Sequence, residues 1–597
     1  MKLIPHNQVA LKSGFFFDKQ ELNRKTTLAA VYDRFFETGR IGAFKFGYPK
    51  DDPIQPHFFW DSDVAKWMEG AAYSLMHTPD PDLEAKVDDI VDDIAKNQGE
   101  DGYFNIFFTV VQPENRWTNR DWHELYCAGH LMEAAVAYAE ATGKTKFLTC
   151  MEKYADHIAK VFMEDRSAAF RTPGHEELEL ALVKMYRHTG KRKYLDMAAH
   201  FINTRGTVEE HNKTNYNQSH LPVREQASAE GHAVRAVYLY TGMAYLARET
   251  GDETLIEACK KLWADVTERK MYITGGLGST YIGEAFTTPF DLPADQAYTE
   301  TCAGIALCFF GNGMLALDNN AVYADVIERA LYNGVASGLS VSGDQFFYEN
   351  PLEVNLSERF ASVWGARRFP AHRRVACFAC SCCPPNVNRL LASIGGYVYG
   401  REGDTLFVNQ FAASEMTDGD MTAAIETAYP NDGTVTVTAK GAAKLAIRIP
   451  AWCDSFKLNK DYTMEKGYAV VENDGTPVTV TFDLTPRRVW ADPRVLRAAG
   501  QAAVMKGPVV YCAEGLDNGE TTLHNYILPA DFTAVEEAHA EYGLPTLSVP
   551  CVKRVTNGDG LYRNAAPRTE AATLKLIPYY TFANRDETDM RVWFYVE

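Results

Sequence analysis

Two adjacent cysteines give this sequence its strongest chemical signal. Cys382 and Cys383 are followed by Pro384, Pro385 and Asn386, and two consecutive prolines are expected to fix the backbone in an extended, rigid turn. Such a turn would hold two thiolates in place, and thiolates are ligands that a soft divalent metal such as Zn²⁺ favours. The motif therefore predicts a metal site at this point of the chain.

The remaining ligands of such a site can come from either of two places. Glu300 and Cys302 stand two residues apart, and with the cysteine pair they would supply three sulfurs and one carboxylate, at Zn–S distances of about 2.3 Å. The alternative is a closed, purely structural site formed by Cys377, Cys380, Cys382 and Cys383. A zinc-bound thiol is deprotonated, so in the first arrangement a sulfur that faces a pocket would be a nucleophile at neutral pH.

A glycine-rich segment, residues 273–286, carries a candidate proton donor and acceptor. No Gly-Lys-Ser/Thr follows its glycines, and the segment does not join a strand to a helix, which argues against a phosphate-binding loop. As a flexible pocket loop it would bring Glu284 to the site, where a carboxyl group can act as general acid and base. As a surface loop it would leave Glu284 in solvent, and the residues alone leave both interpretations open.

The first 400 residues have the pattern of paired helices. From about residue 20 onward, a unit recurs that consists of a polar head, a long apolar-periodic helix, a Thr-Gly break and a second helix. Helix hairpins that bury one face must stack as a solenoid or close into a ring. Because the polar heads fall at the same end of each hairpin, ring closure would gather them around one mouth, and we predict an (α/α)-type toroid.

The polar heads would supply imidazole and carboxylate groups to that mouth. They are His123, His175, His232 and Glu300. Imidazole rings are suited to hydrogen bonding and stacking with sugars, although each head could instead only cap its helix. Tyr348 is a further candidate for the pocket, with a core strand as the alternative, and His130 is interpreted as a packed helix residue.

After Gly400 the pattern changes to short alternating runs separated by Asn-Asp-Gly-type turns, which is typical of β-sandwiches. The predicted domains are 1–400, a helical catalytic barrel, 401–500, a β-sandwich, and 501–597, a second β-sandwich. Neither β-region concentrates titratable residues, so we assign both to support, oligomer contacts or the pocket edge. A homo-oligomer is compatible with this assignment.

Composition excludes several classes of function. The chain is 46% hydrophobic and 23% charged, as in ordinary globular proteins, and a formal charge of −19 argues against a binder of duplex nucleic acid. The short basic run of Arg367, Arg368, Arg373 and Arg374 is expected to be a solvated loop. No apolar run approaches the length of a membrane span, and residues 1–23 lack a leader-like apolar stretch, so a cytoplasmic location is expected.

Taken together, three motifs resemble glycoside hydrolase family 127, the β-L-arabinofuranosidases. They are Gly-Ser-Thr-Tyr-Ile-Gly-Glu284-Ala-Phe, Glu300-Thr-Cys302-Ala and Cys382-Cys383-Pro-Pro-Asn, and residues 578–585 and 590–594 resemble the last domain of that family. The resemblance implies a mainly α fold with β domains, an (α/α)6 barrel followed by β-sandwich (jelly-roll-like) domains. It also implies a retaining hydrolase that releases L-arabinose from β-L-arabinofuranosides.

The resemblance further implies a role for individual residues. Zn²⁺ would be held by Glu300, Cys302, Cys382 and Cys383. Cys382 would also be the nucleophile and Glu284 the general acid and base. The sugar pocket would be lined by His123, His175, His232 and Tyr348, and the substrate would be a small oligosaccharide or glycoconjugate inside the cell.

Two other functions are compatible with the residues. A sugar epimerase or unsaturated-uronide hydrolase on a similar toroid would use histidines and carboxylates without a nucleophilic thiol. A carbohydrate-binding protein with a structural zinc would bind sugar without turnover.

Overall fold

Six inner helices close into a ring in the computed structural model, which describes residues 1–47, 55–358, 370–377, 381–519, 522–539, 542–556, 558 and 560–597. The inner helices are Trp60–His77, Glu124–Thr142, Leu178–Thr189, Ala233–Thr250, Thr301–Leu317 and Cys383–Ala392. Each packs against the next in this order, and Cys383–Ala392 also packs against Trp60–His77. The predicted (α/α)6 barrel is therefore confirmed.

The inner helices are buried on nearly all sides, and their sequences are dominated by apolar residues with only a few buried charged ones. Thr301–Leu317, for example, contains no charged residue, and almost all of its side chains are buried. Three inner helices end at the predicted Thr-Gly breaks, where Gly143, Gly190 and Gly251 take left-handed conformations with φ of 73°, 70° and 66°. Glycine is the residue that adopts this conformation at the lowest cost, which explains the sharp ends of these helices.

A second set of helices forms the outer layer, and most of them are amphipathic, with one apolar face on the inner ring. They are Phe15–Leu22, Leu28–Glu37, Pro81–Asn97, Lys146–Ala159, Arg192–Thr204, Glu253–Arg269 and Ala321–Ala330. The shorter helices are Arg40–Ala43, Phe107–Val110 and, beyond the barrel, Gly515–Asn518. Of the helices in the described ranges, none combines the length and apolar character that crossing a bilayer requires.

Two six-stranded sheets follow the barrel, and each includes a strand from the amino terminus. The order of the first is Lys2–Leu3, Tyr399–Glu402, Thr405–Val408, Lys444–Arg448, Tyr468–Glu472, Thr463–Glu465. The order of the second is Phe456–Leu458, Val478–Phe482, Thr434–Lys440, Met421–Thr427, Ala413–Asp418, Val9–Ser13. Alternate residues are buried in several of these strands, for example Met421, Ala423 and Ile425 of Met421–Thr427, which is typical of sheets with one face on a core.

The carboxy-terminal region forms a third sheet, ten-stranded within the described residues. Its main path is Arg487–Val489, Gln501–Lys506, Phe594–Val596, Tyr526–Leu528, Thr546–Val555, Arg568–Pro578, Val509–Glu514, Met590–Arg591, Glu353–Val354. Val535–Glu537 pairs with Thr546–Val555 beside this path. The β-rich regions agree with the predicted fold class, while the division at residues 400 and 500 stays a prediction.

A buried ion-pair network joins the barrel to the first β-region. Arg448 donates to Glu328 Oε1 and Asp325 Oδ1, at 2.6 Å in each case. Tyr429 and Trp452 donate to the same Glu328 carboxylate at 2.7 and 2.9 Å. Since Arg448 has no exposed side-chain surface, its removal would leave buried carboxylates without their counter-charge.

We expect Arg448→Met to lower the free energy of unfolding by about 3–5 kcal/mol, because one partner of a buried ion pair is lost. Lys444 on the same strand is the matched control, since it pairs with Glu472 at 3.3 Å on the surface. Lys444→Met should change stability by less than about 1 kcal/mol. Urea denaturation of both variants measures the two losses of unfolding free energy. Equal losses would show that the buried network stabilises the fold no more than a surface ion pair does.

Arg374 corrects one expectation from the sequence. Its side chain is buried rather than solvated, at 4% exposure, and it donates to the backbone carbonyls of Ser337, Tyr580 and Phe582. The guanidinium therefore links the barrel to the third sheet. Arg374 departs from the rule that short basic runs are solvated because these carbonyls accept hydrogen bonds from its guanidinium N–H groups. Arg373, which precedes it in sequence, is exposed as expected, and Arg367 and Arg368 lie outside the described residues.

Candidate active site

A cavity of about 320 Å³ lies at the amino-terminal ends of the inner helices. It is lined by His57, Phe58, Phe59, Ser62, Asp63, His123, Tyr126, His175, Tyr216, His232, Val234, Arg235, Glu284, Glu300, Cys302, Tyr348 and Cys382. The volume is at the lower end of the range for small-molecule sites. The ring thus gathers the polar heads at one mouth, as the sequence predicts.

The helix termini make this mouth favourable for negative charge. Cys382, Glu300, His232 and His123 each occupy the position immediately before an inner helix. Unpaired N–H groups and the aligned peptide dipoles give a helix amino terminus a partial positive charge, which stabilises anions. Among these four residues only His232 caps its helix through the side chain, so capping does not explain the other three.

The two prolines position Cys382 differently from the sequence expectation. Pro384 and Pro385 do not extend the backbone but form the first turn of Cys383–Ala392, and Cys382 has helical angles, φ −70° and ψ −36°. The first turn of a helix accepts proline because its N–H groups have no intrahelical partner. The turn is therefore rigid, as predicted, but it is helical.

Three sulfurs and one carboxylate meet at the base of the cavity. The Sγ atoms of Cys302 and Cys383 are 3.4 Å apart, and those of Cys382 and Cys383 are 3.7 Å apart. Glu300 Oε1 lies 3.5 Å from Cys382 Sγ and 3.8 Å from Cys383 Sγ. Donor atoms of all four residues fall within 4.8 Å of one another.

These spacings fit a tetrahedral metal ion. With arms of about 2.3 Å to sulfur and about 2.0 Å to oxygen, tetrahedral geometry requires S···S separations near 3.8 Å and S···O separations near 3.5 Å. Three thiols and a carboxylate form a donor set suited to Zn²⁺. The four residues could therefore hold this ion with little rearrangement.

The alternative four-cysteine arrangement is not formed by the residues that the structure describes. Cys377 does not belong to the cluster, and burial raises the pKa of its thiol to about 12; Cys380 lies outside the described residues. Burial also opposes ionisation of Cys302, but hydrogen bonds from Cys382 and Cys383 outweigh it and lower the pKa of Cys302 to about 6. Even without an ion, the cluster therefore favours one thiolate.

Glu284 reaches the same cavity from the 271–299 loop. It has a left-handed backbone, φ 54°, which is a strained conformation for a residue with a side chain. The strain is held by bridges that pair Ala285 with His232 and with Thr280. A carboxylate oxygen of Glu284 lies within 4.8 Å of a Glu300 carboxylate oxygen, so Glu284 belongs to the pocket and not to a solvated loop.

His232 fixes the orientation of the Glu284 carboxylate. The Nδ1 atom of His232 accepts from the backbone N–H of Val234 at 3.2 Å, so the ring proton is on Nε2, which donates to Glu284 Oε2 at 2.8 Å. Burial raises the pKa of Glu284, but this hydrogen bond and one from Tyr298 outweigh it, so the pKa lies below its ordinary value. Glu284 is thus ionised near neutral pH in the free protein.

His123 and His175 present acceptor nitrogens to the cavity. The Nδ1 atom of His123 donates to the Asp121 carbonyl at 2.8 Å, and that of His175 donates to the Glu176 carbonyl at 3.1 Å. Burial holds the pKa of both rings well below the ordinary value, so both are neutral. Their Nε2 atoms are therefore free of protons and suited to accept hydrogen bonds from hydroxyl groups.

Comparison with known proteins identifies the chain. The model of the β-L-arabinofuranosidase, GH127 catalytic domain matches residues 8–396, that of the GH127 middle domain matches 405–484, and that of the family 127 carboxy-terminal domain matches 486–595. The chain belongs to glycoside hydrolase family 127. It is therefore a glycoside hydrolase, as the motif resemblance implies.

Characterised and solved members of family 127 align with almost all of the chain. A non-reducing end β-L-arabinofuranosidase of Bifidobacterium longum subsp. longum is 37% identical over 598 residues, covering 91% of this chain and 90% of that protein. The crystal structure of a family 127 β-L-arabinofuranosidase from Geobacillus stearothermophilus T6 has a TM-score of 0.94 and 40% identity, covering 99% and 100% of the two chains. A structure titled as a GH127 β-arabinofuranosidase has a TM-score of 0.91 and 34% identity, covering 100% and 98%.

Tyr348 lies next to the cysteine cluster of this family 127 enzyme. Its hydroxyl group is 3.4 Å from Cys382 Sγ, and the residue is buried in the cavity wall. The segment that carries it pairs with the start of an inner helix through a bridge between Glu349 and Glu300. Tyr348 therefore lies in the pocket, which is the first of its two interpretations. The bridge beside it explains why the surrounding sequence also resembles a strand.

Several lining residues of the family 127 cavity were not predicted. Phe58 lies 5.3 Å from the His123 ring, and the Arg235 guanidinium lies 4.5 Å from the Tyr216 ring centroid. Arg235 stands three residues after the His232 head, within the first turn of the same helix, so proximity to a head was a usable signal. Phe58 and Tyr216 lie in loops without helical periodicity, and nothing in the sequence indicated that they face the site.

Proposed function

We propose that this enzyme is a retaining β-L-arabinofuranosidase with Cys382 as nucleophile and Glu284 as general acid and base. The observation that carries the proposal is that Cys382 Sγ borders the same cavity as Glu284 while it belongs to a cluster of three sulfurs and Glu300. The aligned relatives named as β-L-arabinofuranosidases support the choice of sugar.

The cluster of Glu300, Cys302, Cys382 and Cys383 would hold a zinc ion. When bound, the ion would keep the sulfurs ionised and lower their basicity, so that Cys382 could both attack and leave. The remaining chemistry belongs to side chains of the chain.

In the first step the protonated form of Glu284, a minor form in the free protein near neutral pH, donates its proton to the glycosidic oxygen while Cys382 Sγ attacks the anomeric carbon. The C–O bond breaks, a C–S bond forms, and the alcohol departs with the proton. In the second step ionised Glu284 removes a proton from water, whose oxygen displaces Sγ and restores the thiolate. Two inversions at one carbon give net retention.

The histidines bind and orient in this scheme. The Nε2 atoms of His123 and His175 accept hydrogen bonds from sugar hydroxyls, and His232 holds one oxygen of Glu284 in place. Cys382 Sγ lies 3.4 Å from the Tyr348 hydroxyl oxygen. Once the sulfur is ionised, this hydroxyl group donates a hydrogen bond to it and aims it before attack. The pocket has space for one sugar residue with its glycosidic oxygen next to Glu284.

Substrate selectivity and stereochemistry test the proposal together. We expect hydrolysis of p-nitrophenyl β-L-arabinofuranoside, and much slower hydrolysis of the α-L-arabinofuranoside and the β-D-galactopyranoside. NMR during the first turnovers should show β-L-arabinose before mutarotation. Initial release of the α-anomer would exclude a covalent retaining mechanism, and no preference for the β-L-furanoside would exclude the substrate assignment.

The pH dependence of kcat/KM should respond to Tyr298. The Tyr298 hydroxyl group donates to Glu284 and lowers its pKa, so Tyr298→Phe should raise that pKa. A raised pKa keeps Glu284 protonated at higher pH, and protonated Glu284 is the general acid. The alkaline limb of the kcat/KM profile should therefore move to higher pH, while a limb that stays in place or moves to lower pH would contradict the assignment of Glu284 as the acid.

A further inference from the structure

Lys66 is a buried cation whose hydrogen-bond partner, Tyr126, lines the same cavity as Cys302 and Cys382. It lies in Trp60–His77 with no exposed surface, and its Nζ donates to the Tyr126 hydroxyl oxygen at 3.0 Å. Among the described residues, no carboxylate oxygen lies within 4.0 Å of this Nζ, which is the largest N···O distance of an ion pair. Because an ammonium group without compensating charge is costly to bury, negative charge must lie further off.

The charged groups around Lys66 differ in whether they already form ion pairs with other residues. Asp63 attracts Lys66, but its carboxylate is paired with Arg40 at 3.1 Å. Arg389 opposes Lys66 but is itself paired with two buried carboxylates. The other attractive groups are the sulfurs of Cys382 and Cys302, which line the same cavity as Tyr126, the hydrogen-bond partner of Lys66.

The charge of the cluster matches this position. If a bound metal ion keeps all three thiols ionised, the three thiolates and the carboxylate of the cluster would carry four negative charges. A divalent ion would neutralise two of these charges and leave a net charge of two minus. Helix amino termini provide only partial positive charge at its edge. A full positive charge close to the sulfurs would lower the free energy of the assembled site.

We propose that Lys66 is the buried counter-cation of the Glu300–Cys302–Cys382–Cys383 cluster and thereby strengthens its affinity for a divalent metal. This inference rests on the metal site of the proposed function. The hydrogen bond to Tyr126 anchors the ammonium group on the wall of the cavity. Since Tyr126 Oη accepts from Lys66, its own O–H is left to donate, which couples the buried charge to a residue that lines the pocket.

Zinc affinity of full-length variants tests the inference, measured by competition with a chromophoric chelator. We expect Lys66→Met to bind zinc at least about tenfold more weakly, as for other residues beside the ligands. Lys66→Arg, which keeps the charge, should stay within about threefold of wild type. Lys184→Met is the matched control, since Lys184 is a core cation paired with Glu133 and Glu69, and should also stay within about threefold.

Wild-type affinity in Lys66→Met would overturn the inference, and so would equal losses in the Met and Arg variants. Lys66→Gln is a second neutral variant, in case methionine does not fold. If both neutral variants fail to fold while Lys66→Arg folds, the ammonium group serves the fold rather than the site, and the inference is again overturned. Failure of the proposed function is distinguished by Cys382→Ser, since normal hydrolysis by that variant refutes the nucleophile whatever the zinc affinity of the Lys66 variants.

Discussion

Cys382→Ser should lower kcat for the β-L-arabinofuranoside by at least about 10⁴-fold, the scale seen when a nucleophile is removed from an enzyme that forms a covalent intermediate. The serine hydroxyl would replace the sulfur at nearly the same position but would not be ionised near neutral pH. A better nucleophile and a better leaving group would both be lost. Both steps of the proposed mechanism would therefore slow down.

Cys377→Ser is the matched control for this change. Cys377 is buried five positions earlier and lies outside the cluster, so activity and zinc content should stay within about threefold of wild type. Zinc must be quantified in each preparation, because Cys382 is also a candidate ligand. If Cys382→Ser hydrolysed substrate normally, the cluster would be structural, and an epimerase or uronide hydrolase type of chemistry would become the better hypothesis.

The barrel and the mouth could be predicted because each depends on a local, repeated signal. Thr-Gly breaks end three inner helices at left-handed glycines. The polar heads His123, His232 and Glu300 stand immediately before the starts of inner helices. Once the ring closes, these starts must meet. That the candidate residues meet could therefore be predicted from the closed ring of helices, and not from the sequence distance between any two of them.

The second layer around the site could not be predicted in the same way. Asp63, Lys66 and Glu69 recur every three residues along a buried helix, a polar stripe that indicates a charged helix face but not its partners. Glu69 pairs with Arg389 only because the ring brings the first inner helix against the last, and for the same reason Lys66 is within electrostatic reach of Cys382. Such contacts join residues that are far apart in the chain, and a single sequence that is not aligned with others carries no record of them.

The amino-terminal strands show the same limit. Lys2–Leu3 and Val9–Ser13 precede the barrel in sequence but pair with strands Tyr399–Glu402 and Ala413–Asp418 beyond it. Both are short, and a strand of two residues has no readable periodicity. The sequence pattern placed them in the barrel region, whereas hydrogen bonding places them at the edges of the first two β-sheets.

Glu284→Gln should affect substrates according to their leaving groups. Glutamine keeps the shape and can still contact His232, but it cannot donate a proton to the glycosidic oxygen or accept one from water. Alkyl arabinofuranosides need the proton, so their kcat/KM should fall on the order of 10²–10⁴-fold. A dinitrophenyl leaving group departs without protonation, so the first step for that substrate should be nearly unaffected.

With the activated substrate, the Glu284→Gln variant should release about one equivalent of phenol in a burst and then stall, because hydrolysis of the C–S bond still needs the base. Mass spectrometry should find one pentosyl group on the peptide that contains Cys382. In Glu284→Ala, azide should restore turnover and give the β-azide with retained configuration, since a small anion needs no base. Asp291→Asn, on the same loop but outside the cavity lining, is the matched control and should behave as wild type. Equal losses for alkyl and dinitrophenyl substrates, with no pentosyl group on Cys382, would show that Glu284 is not the acid and base and that the sulfur is not the nucleophile.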